Sequence, residues 1–410
     1  MKALEFRHEV VRYLATRAVY QVAPRWWTPR LAPLHFAPRE RPEPKRPGWL
    51  RVGVRLAGVC GSDVNLILGR DSLYLEPEAS YPFVPGHEFV GVIEKESLEV
   101  SGDRRLLRGT RVAVWPVLGC RVRDRQVLCR QCAEGWDGLC EDRERGWPGV
   151  GLSLGFNRET GGGWAEACLA HASQLWPLPD EVSDEDAVLL DPAATALAAV
   201  LRTGTAHERT LVIGGGTIGL LSALLHKGLE LSGSCEVVVR YRYQERWARN
   251  HALTATTVAG ESDWRAWAKE RSFRRKNVLG YGDVYHGTFD RVIVAAGSRS
   301  AFKWALRAVR PRGTIALVAA PTNLRGVDPT VVWYREIAIR GVYDYGPVPW
   351  EGEQVHPYSV MLPRLADGTL AFRDLVTHVF TLDEYRAAMS RAVRRGRSES
   401  IKVVFRLSAA

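Results

Sequence analysis

Four of the chain's seven cysteines, Cys120, Cys129, Cys132 and Cys140, fall within 21 residues, spaced C-x8-C-x2-C-x7-C. The last three suit a small loop closed around a tetrahedral zinc ion. That loop is rich in charge and glycine and has little to pack a core with, so a metal accounts for the cluster better than free thiols do. A second set of donors is dispersed. Cys60 lies in 57-AGVCGSDVNLILGR-70, His87 and Glu88 in 85-PGHEFVGVI-93, and Asp191 in 190-LDPAATA-196. Taken singly, a lone cysteine reads as core and a lone histidine before a strand as merely hydrogen-bonded. Taken together, a thiolate, an imidazole and a carboxylate supply three protein ligands and leave a position open, the composition of a catalytic metal site.

A third chemical signal is 210-TLVIGGGTIGLLSALL-225, in which Gly214, Gly216 and Gly219 form G-x-G-x-x-G. The motif follows a buried-type strand and opens a helix at Thr217 and Ile218, the context that marks dinucleotide binding. Gly214 permits the tight turn, Gly216 lets a pyrophosphate approach the backbone, and Gly219 lets helix and strand pack closely. The next strand ends 237-VVVRYRYQER-246. Where an NAD-binding fold carries an acid for the ribose hydroxyls, this chain has Tyr241, with Arg240, Arg242 and Arg246 around it. A carboxylate repels a 2′-phosphate, whereas arginine holds one by paired hydrogen bonds, so the pattern points to NADP.

These groups need a scaffold of two kinds. Residues 49-WLRVGVRLAGV-59 alternate as a strand does, and from 81 to 180 short apolar runs separated by Gly and Pro imply a β-rich region. The stretch 21–48 is rich in Pro and Arg and reads as a long irregular surface segment. From about 185 the texture changes to alternating helices and strands: a helix at 184–203, strands at 210–214 and 236–240, a helix at 217–229, strands at 290–297 and 313–320, and a helix at 299–309. That alternation implies a doubly wound parallel sheet. After about 340 the chain returns to the first region, with a strand and amphipathic helix in 378–393 and a last strand in 400–407.

The 410 residues suffice for two or three domain-sized cores. Apolar content of 46% and charged content of 25% are those of a soluble globular chain. The longest apolar run is cut by glycines and too short to cross a bilayer, and the N-terminus has no signal-peptide core; the expected compartment is the cytoplasm, without membrane association. The formal charge of +10 is spread along the chain, with no run of five like charges, which argues against a nucleic-acid partner.

The constellation resembles the zinc-containing medium-chain dehydrogenase/reductase family, the alcohol, polyol, threonine and sugar dehydrogenase group. The opening MKAL, 59-VCGSD-63, 86-GHEFVGVI-93, the cysteine cluster, 162-GGWAEACL-169, 191-DPAATA-196, the glycine loop and 377-THVFTLDE-384 occur in that family's order. The resemblance implies a GroES-like β-rich catalytic domain over 1–188, rejoined by 341–410, and a Rossmann cofactor domain over 189–340. It matches Cys60 and His87 to the ligands of a catalytic zinc, and Glu88 to the acid beside it. Asp191 falls where polyol and sugar dehydrogenases carry Glu; either Asp191 or Glu88 can close the shell. It matches Ser62 to the hydroxyl that relays the alcohol proton, Asp63 to the acid that orients the zinc histidine, Lys402 to a basic residue that meets the pyrophosphate, and the four clustered cysteines to a structural zinc site.

Three departures stand out. Asn65 replaces a histidine that passes the proton to solvent in many relatives, so protons leave by water or by another residue. Cys120 is eight residues from Cys129 rather than two. The segment 12–45 is longer than the family needs. The implied function is a zinc-dependent, NADP-preferring oxidoreductase acting on a small alcohol or its carbonyl, polyol- or sugar-like, as a homodimer or homotetramer. The rival within the same fold is a zinc-free NADPH-dependent quinone or enoyl reductase. The rival from another class is a non-catalytic protein that senses NADP or binds RNA. Four aromatic residues, Trp115, Trp147, Phe156 and Trp350, fall in the segments expected to line the substrate pocket.

Overall fold

The structure, a computed structural model, describes residues 1–96, 106–204, 208–319, 324 and 326–408. By contacts the chain divides into two compact units, Met1–Asp191 with Met361–Ala410, and Pro192–Val360.

In the first unit a seven-stranded sheet is organised around Trp49–Gly58, which pairs antiparallel with Phe89–Glu96, Ala167–His171 and Lys402–Arg406. Period-2 alternation buries Leu50, Val52, Val54 and Leu56 and leaves Arg55 exposed. The C-terminal strand enters this sheet beside Val376–Phe380, with which it pairs in parallel. Within the stretch expected to be irregular, 21–48, the strand Leu34–Pro38 pairs antiparallel with Lys2–Phe6, Leu4 opposite Phe36, and ahead of it a helix runs Val10–Val22. Side chains of the helix hold the segment that follows: Thr16 Oγ1 and Arg12 Nε both donate to the Leu31 carbonyl.

The second unit is a six-stranded sheet, parallel throughout, in the order Thr254–Thr257, Gly233–Val239, Glu208–Ile213, Phe289–Val294, Val309–Leu317, Ala338–Gly341. The order reverses at Glu208–Ile213, the switch point at which such sheets bind ligands beyond the strands' carboxyl ends. The last residue of the strand read at 313–320 lies outside the described residues. The helix Glu261–Glu270 buries Trp264 and Trp267 against Phe273 and Phe289, and a hairpin, Arg274–Val278 with Gly282–His286, follows it. Residues 341–360, read from sequence as returning to the first region, group with the second unit. Arg202 donates to the carbonyls of Asp344 and Pro347, and the buried hydroxyls of Tyr345 and Tyr358 lie 3.1 Å apart. No helix among the described residues is long and apolar enough to cross a membrane.

Candidate active site

Cys60 follows the end of the central strand and caps the helix Gly61–Ile67; its N–H donates to Asp63 Oδ2 at 2.8 Å. The carboxylate three residues on thereby fixes the turn that presents the thiol. His87 and Glu88 stand just before Phe89–Glu96, and the Gly58 N–H donates to the Glu88 carbonyl at 2.7 Å, tying the two strand ends together. The result is a set of donor atoms from Cys60, His87 and Glu88 all within 4.8 Å of one another. Asp191 opens the helix Leu190–Arg202 and is outside that set, although its charge acts on His87.

Around these donors the polar atoms are unsatisfied. Ser62 Oγ, Asp63 Oδ1 and His87 Nδ1 are buried without a hydrogen-bond partner among the described residues, and Asp63 Oδ1 lies 3.8 Å from His87 Nδ1. Buried polar atoms of this kind ordinarily have a protein, water or ion partner. Burial pushes Asp63 up to about 6 against the pull of His87 and of the Cys60 N–H. For His87 burial opposes the charge, but Asp63 and Cys60 outweigh it and hold the pKa well above its ordinary value. The donor set fits a metal ion: soft sulfur, imidazole nitrogen and carboxylate oxygen, close together and bordered by unpartnered polar atoms.

Glu88 has a second neighbour. Lys402 Nζ donates to Glu88 Oε2, and both side chains are 2% exposed. The lysine that the family pattern sets against a pyrophosphate is thus placed as the counter-ion of Glu88. Its stem passes so near Gly58 that a Cβ there would fall 2.7 Å from Lys402 Cε and 2.3 Å from Glu88 Oε2. Asn65 sits half-buried on the Cys60 helix.

All four clustered cysteines come together, Cys120 included. Their sulfurs lie within 4.8 Å of one another, and Cys120 Sγ is 3.6 Å from Cys140 Sγ. Two thiolates on tetrahedral zinc stand about 3.8 Å apart, given a Zn–S bond of about 2.3 Å. The long interval after Cys120 is taken up by a 3-10 turn, Cys120–Arg123, closed by Asp124 in the left-handed region. Each sulfur also receives a backbone N–H, from Cys120 to Cys132, Cys129 to Cys120, Cys132 to Cys129 and Asp142 to Cys140. N–H donors of this kind favour the thiolate, the form a metal takes.

In the second unit Gly214 turns the chain at φ 129° between Glu208–Ile213 and the helix Thr217–Gly228, which Gly216 caps. At Gly219 a Cβ would meet the Gly214 carbonyl oxygen at 1.8 Å, so only glycine allows that helix to start so close to the strand. Thr217 and Ile218 form its first turn, both half-buried. Gln244 Oε1 accepts the N–H of both Arg240 and Tyr241, and it fills the space beside Gly215. The arginine segment is therefore held next to the glycine loop. Arg240, Arg242 and Arg246 are exposed. The nearest acid, Glu245, is turned inward to Thr257 and Arg249.

Residues 46–180 match the family model described as the alcohol dehydrogenase GroES-like domain. L-threonine 3-dehydrogenase of Deinococcus deserti is 27% identical over 83% of this chain and 87% of its own length. The 2R,3R-butanediol dehydrogenase of Bacillus subtilis superposes with a TM-score of 0.69 at 21% identity, covering 92% of this chain and 96% of the other. A putative zinc-binding dehydrogenase of Sinorhizobium meliloti, bound to NADP, has a TM-score of 0.68 at 24% identity over 91% and 96%. The chain carries an alcohol dehydrogenase GroES-like domain, and over most of its length it is similar to dehydrogenases of the zinc-type medium-chain family.

The structure also shows what sequence reasoning left out. Phe156 lies 5.7 Å from His87, ring to ring, and continues through Phe83 to Tyr81 as an aromatic wall. Of the expected pocket aromatics, Trp147 instead crosses Trp49 edge-on at 4.4 Å beneath Arg46, and Trp350 sits in a short hairpin of the second unit. The Val10–Val22 helix bears on the turn after the Cys60 helix: a Cβ on Gly69 would fall 2.8 Å from Arg17 Cβ and 3.1 Å from the Tyr13 carbonyl. Its sequence shows no signal for this contact beyond being additional to the family pattern.

Proposed function

We propose that this oxidoreductase is a zinc-dependent, NADP-preferring dehydrogenase that interconverts a secondary alcohol, polyol- or sugar-like, and its carbonyl. The observation that carries the reading is the Cys60, His87 and Glu88 donor set beside the unpartnered Ser62 hydroxyl. Cys60, His87 and one carboxylate, Glu88 or Asp191, hold the catalytic zinc; Cys120, Cys129, Cys132 and Cys140 hold a structural one. Zinc supplies a Lewis acid for the substrate oxygen and the nicotinamide a hydride acceptor.

The residues do the rest. Ser62 Oγ takes the hydroxyl proton of the substrate. Asp63 sets the Cys60 turn through its N–H and faces His87 Nδ1, fixing both ligands. Lys402 offsets the charge of Glu88 beside the thiolate. Gly214, Gly216 and Gly219 admit the pyrophosphate, and Arg240 and Arg242 take the 2′-phosphate, a reading favoured by the absence of a free acid among residues 240–246. Support for a polyol-like substrate comes from the relatives' names: L-threonine and 2,3-butanediol each carry a polar group beside the carbinol. We assign catalysis to the first unit and NADP to the second, and a cytoplasmic homodimer or homotetramer as the working form.

The test is Cys60→Ser, with zinc content and NADP-linked turnover measured on an alcohol panel. One zinc ion fewer per chain together with loss of turnover is expected. Unchanged turnover without the catalytic zinc would refute the reading and favour the zinc-free reductase.

A further inference from the structure

Arg121, Arg123 and Arg125 fall in the long interval between Cys120 and Cys129, and two of them are matched by acids of the same lobe. Arg121 Nη1 donates to both oxygens of Asp137, at 2.8 and 2.7 Å, on the segment between Cys132 and Cys140. Arg125 pairs with Asp142 at 2.9 Å, just beyond Cys140. Arg123 has no such acid. It is fully buried, and among the described residues its donors go to carbonyls: Nε to Leu118 at 3.1 Å, Nη2 to Gly151 at 3.0 Å, and Nη1 to Gly149. Carbonyls satisfy the N–H groups but leave the charge itself uncompensated, and a buried charge without a counter-charge is costly.

Its place in the lobe supplies that counter-charge. Arg123 ends the 3-10 turn that Cys120 begins. Its bond to Leu118 folds the guanidinium back along the residues leading into Cys120, whose own N–H donates to Cys132 Sγ at 3.3 Å. Burial pushes the pKa of Arg123 down, and Cys140, Cys120 and Cys132 pull it up. Four thiolates around one divalent cation carry surplus negative charge, which a buried guanidinium offsets. The same side chain holds the loop 146–151 against the lobe. Gly146 comes so near the turn that a Cβ would fall 2.3 Å from the Arg123 carbonyl oxygen. Asn157, also fully buried, donates to the Pro148 and Val150 carbonyls of that loop at 3.0 and 2.7 Å.

We propose that Arg123 is a positioning residue for the metal of the cysteine lobe: its buried charge offsets the surplus charge of the loaded four-thiolate site, while its planar fork fastens the lobe to the loop 146–151. The proposal rests on the structural-zinc reading above and gives the long interval a function. The residues between Cys120 and Cys129 form a turn that keeps the four sulfurs together and places a cation beside them. Arginine suits both tasks, because its charge persists under burial and its fork reaches several carbonyls at once.

The experiment uses the full chain carrying Cys60→Ser, which leaves the cysteine lobe as the zinc site, and measures zinc affinity by competition with a chromogenic chelator. Three further substitutions are compared in that background. Arg123→Gln keeps an N–H donor and removes the charge. Arg123→Lys keeps the charge and loses the fork. Asn157→Ala unties the same loop and changes no charge. Arg123→Gln is expected to weaken zinc binding about 10- to 100-fold, the usual cost of losing a group that supports metal ligands. Arg123→Lys is expected to recover most of that loss. Asn157→Ala is expected to lower the melting temperature while zinc affinity stays near that of the background. Melting each protein with zinc and with chelator separates the metal's share of stability from any folding deficit of the variant. Zinc affinity unchanged in Arg123→Gln, no better in Arg123→Lys than in Arg123→Gln, or lowered as much by Asn157→Ala, overturns the proposal and leaves the metal site standing. A zinc content that does not fall in Cys132→Ser overturns the metal reading and the proposal together.

Discussion

The Glu88–Lys402 pair allows the site's electrostatics to be tested through stability. The two residues are 314 apart in sequence and each side chain is 2% exposed. Replacing Lys402 with Met keeps most of the aliphatic stem but leaves Glu88 buried without its counter-ion, which costs about 3–5 kcal/mol. Replacing both, Lys402→Met with Glu88→Gln, removes the charge together with its partner and costs about 1 kcal/mol or less, because a buried pair is worth little more than an apolar substitute of its size. Glu88→Gln alone strands Lys402 and costs about as much as the other single variant, so the coupling between the two substitutions is expected at about 5–9 kcal/mol, the double variant being more stable than either single one. At roughly 2–4 °C per kcal/mol for domains of this size, the single variant melts about 10 °C below wild type. Thermal unfolding of the four proteins of the cycle, purified in the same buffer, measures it. Gly58→Ala provides an independent handle, since its Cβ would press on both members of the pair, and it too is expected to lower the melting temperature. A Lys402→Met variant as stable as wild type, or a double variant as unstable as the single one, would refute the placement of lysine on Glu88.

Two further outcomes follow from the electrostatics of the other sites. Arg240→Ala with Arg242→Ala is expected to lower kcat/KM for NADP about 10- to 100-fold relative to NAD, and an unchanged cofactor preference would remove the argument from the arginine segment. Asp71, ordinarily near 3.8 and raised to about 7 in the fold, retains a proton that the unfolded chain gives up. Its contribution to stability is present below about pH 4 and is lost as pH rises through about 7. Asp71→Asn is accordingly expected to gain about 1–3 kcal/mol on wild type at pH 8 and to gain little at pH 4, measured by urea unfolding; an equal effect at both pH values would show that the carboxyl has a partner.

Much of the scaffold is legible in the chain because its signals are local. The alternation of 49–59 makes a strand whose apolar residues face one core, and the run 210–225 states strand, turn and helix in succession. The Val10–Val22 helix was illegible for the opposite reason. Its apolar residues do not gather on one buried face: Val11, Leu14 and Val22 are exposed, and Thr16 is the buried residue, held by a carbonyl outside the helix. The strand Leu34–Pro38 hides among prolines because it needs only one partner, Lys2–Phe6. Cys120 was similarly obscured, since spacing cannot show a turn that shortens an interval.

By itself the sequence determined the kinds of chemistry on offer: sulfur and imidazole donors at metal-site spacing, a glycine loop in a βαβ context, and arginines in place of the ribose-binding acid. These depend on residue types and short intervals, which survive without coordinates. Only the tertiary structure decided which carboxylates stand where. Glu88 joins Cys60 and His87 while sharing its charge with Lys402, Asp191 stays outside the donor set, and Asp63 is buried against His87. The physical reason is that a charge acquires its role from the groups within a few ångströms of it and from the depth at which it is buried. Both are products of how distant segments pack rather than of their order along the chain.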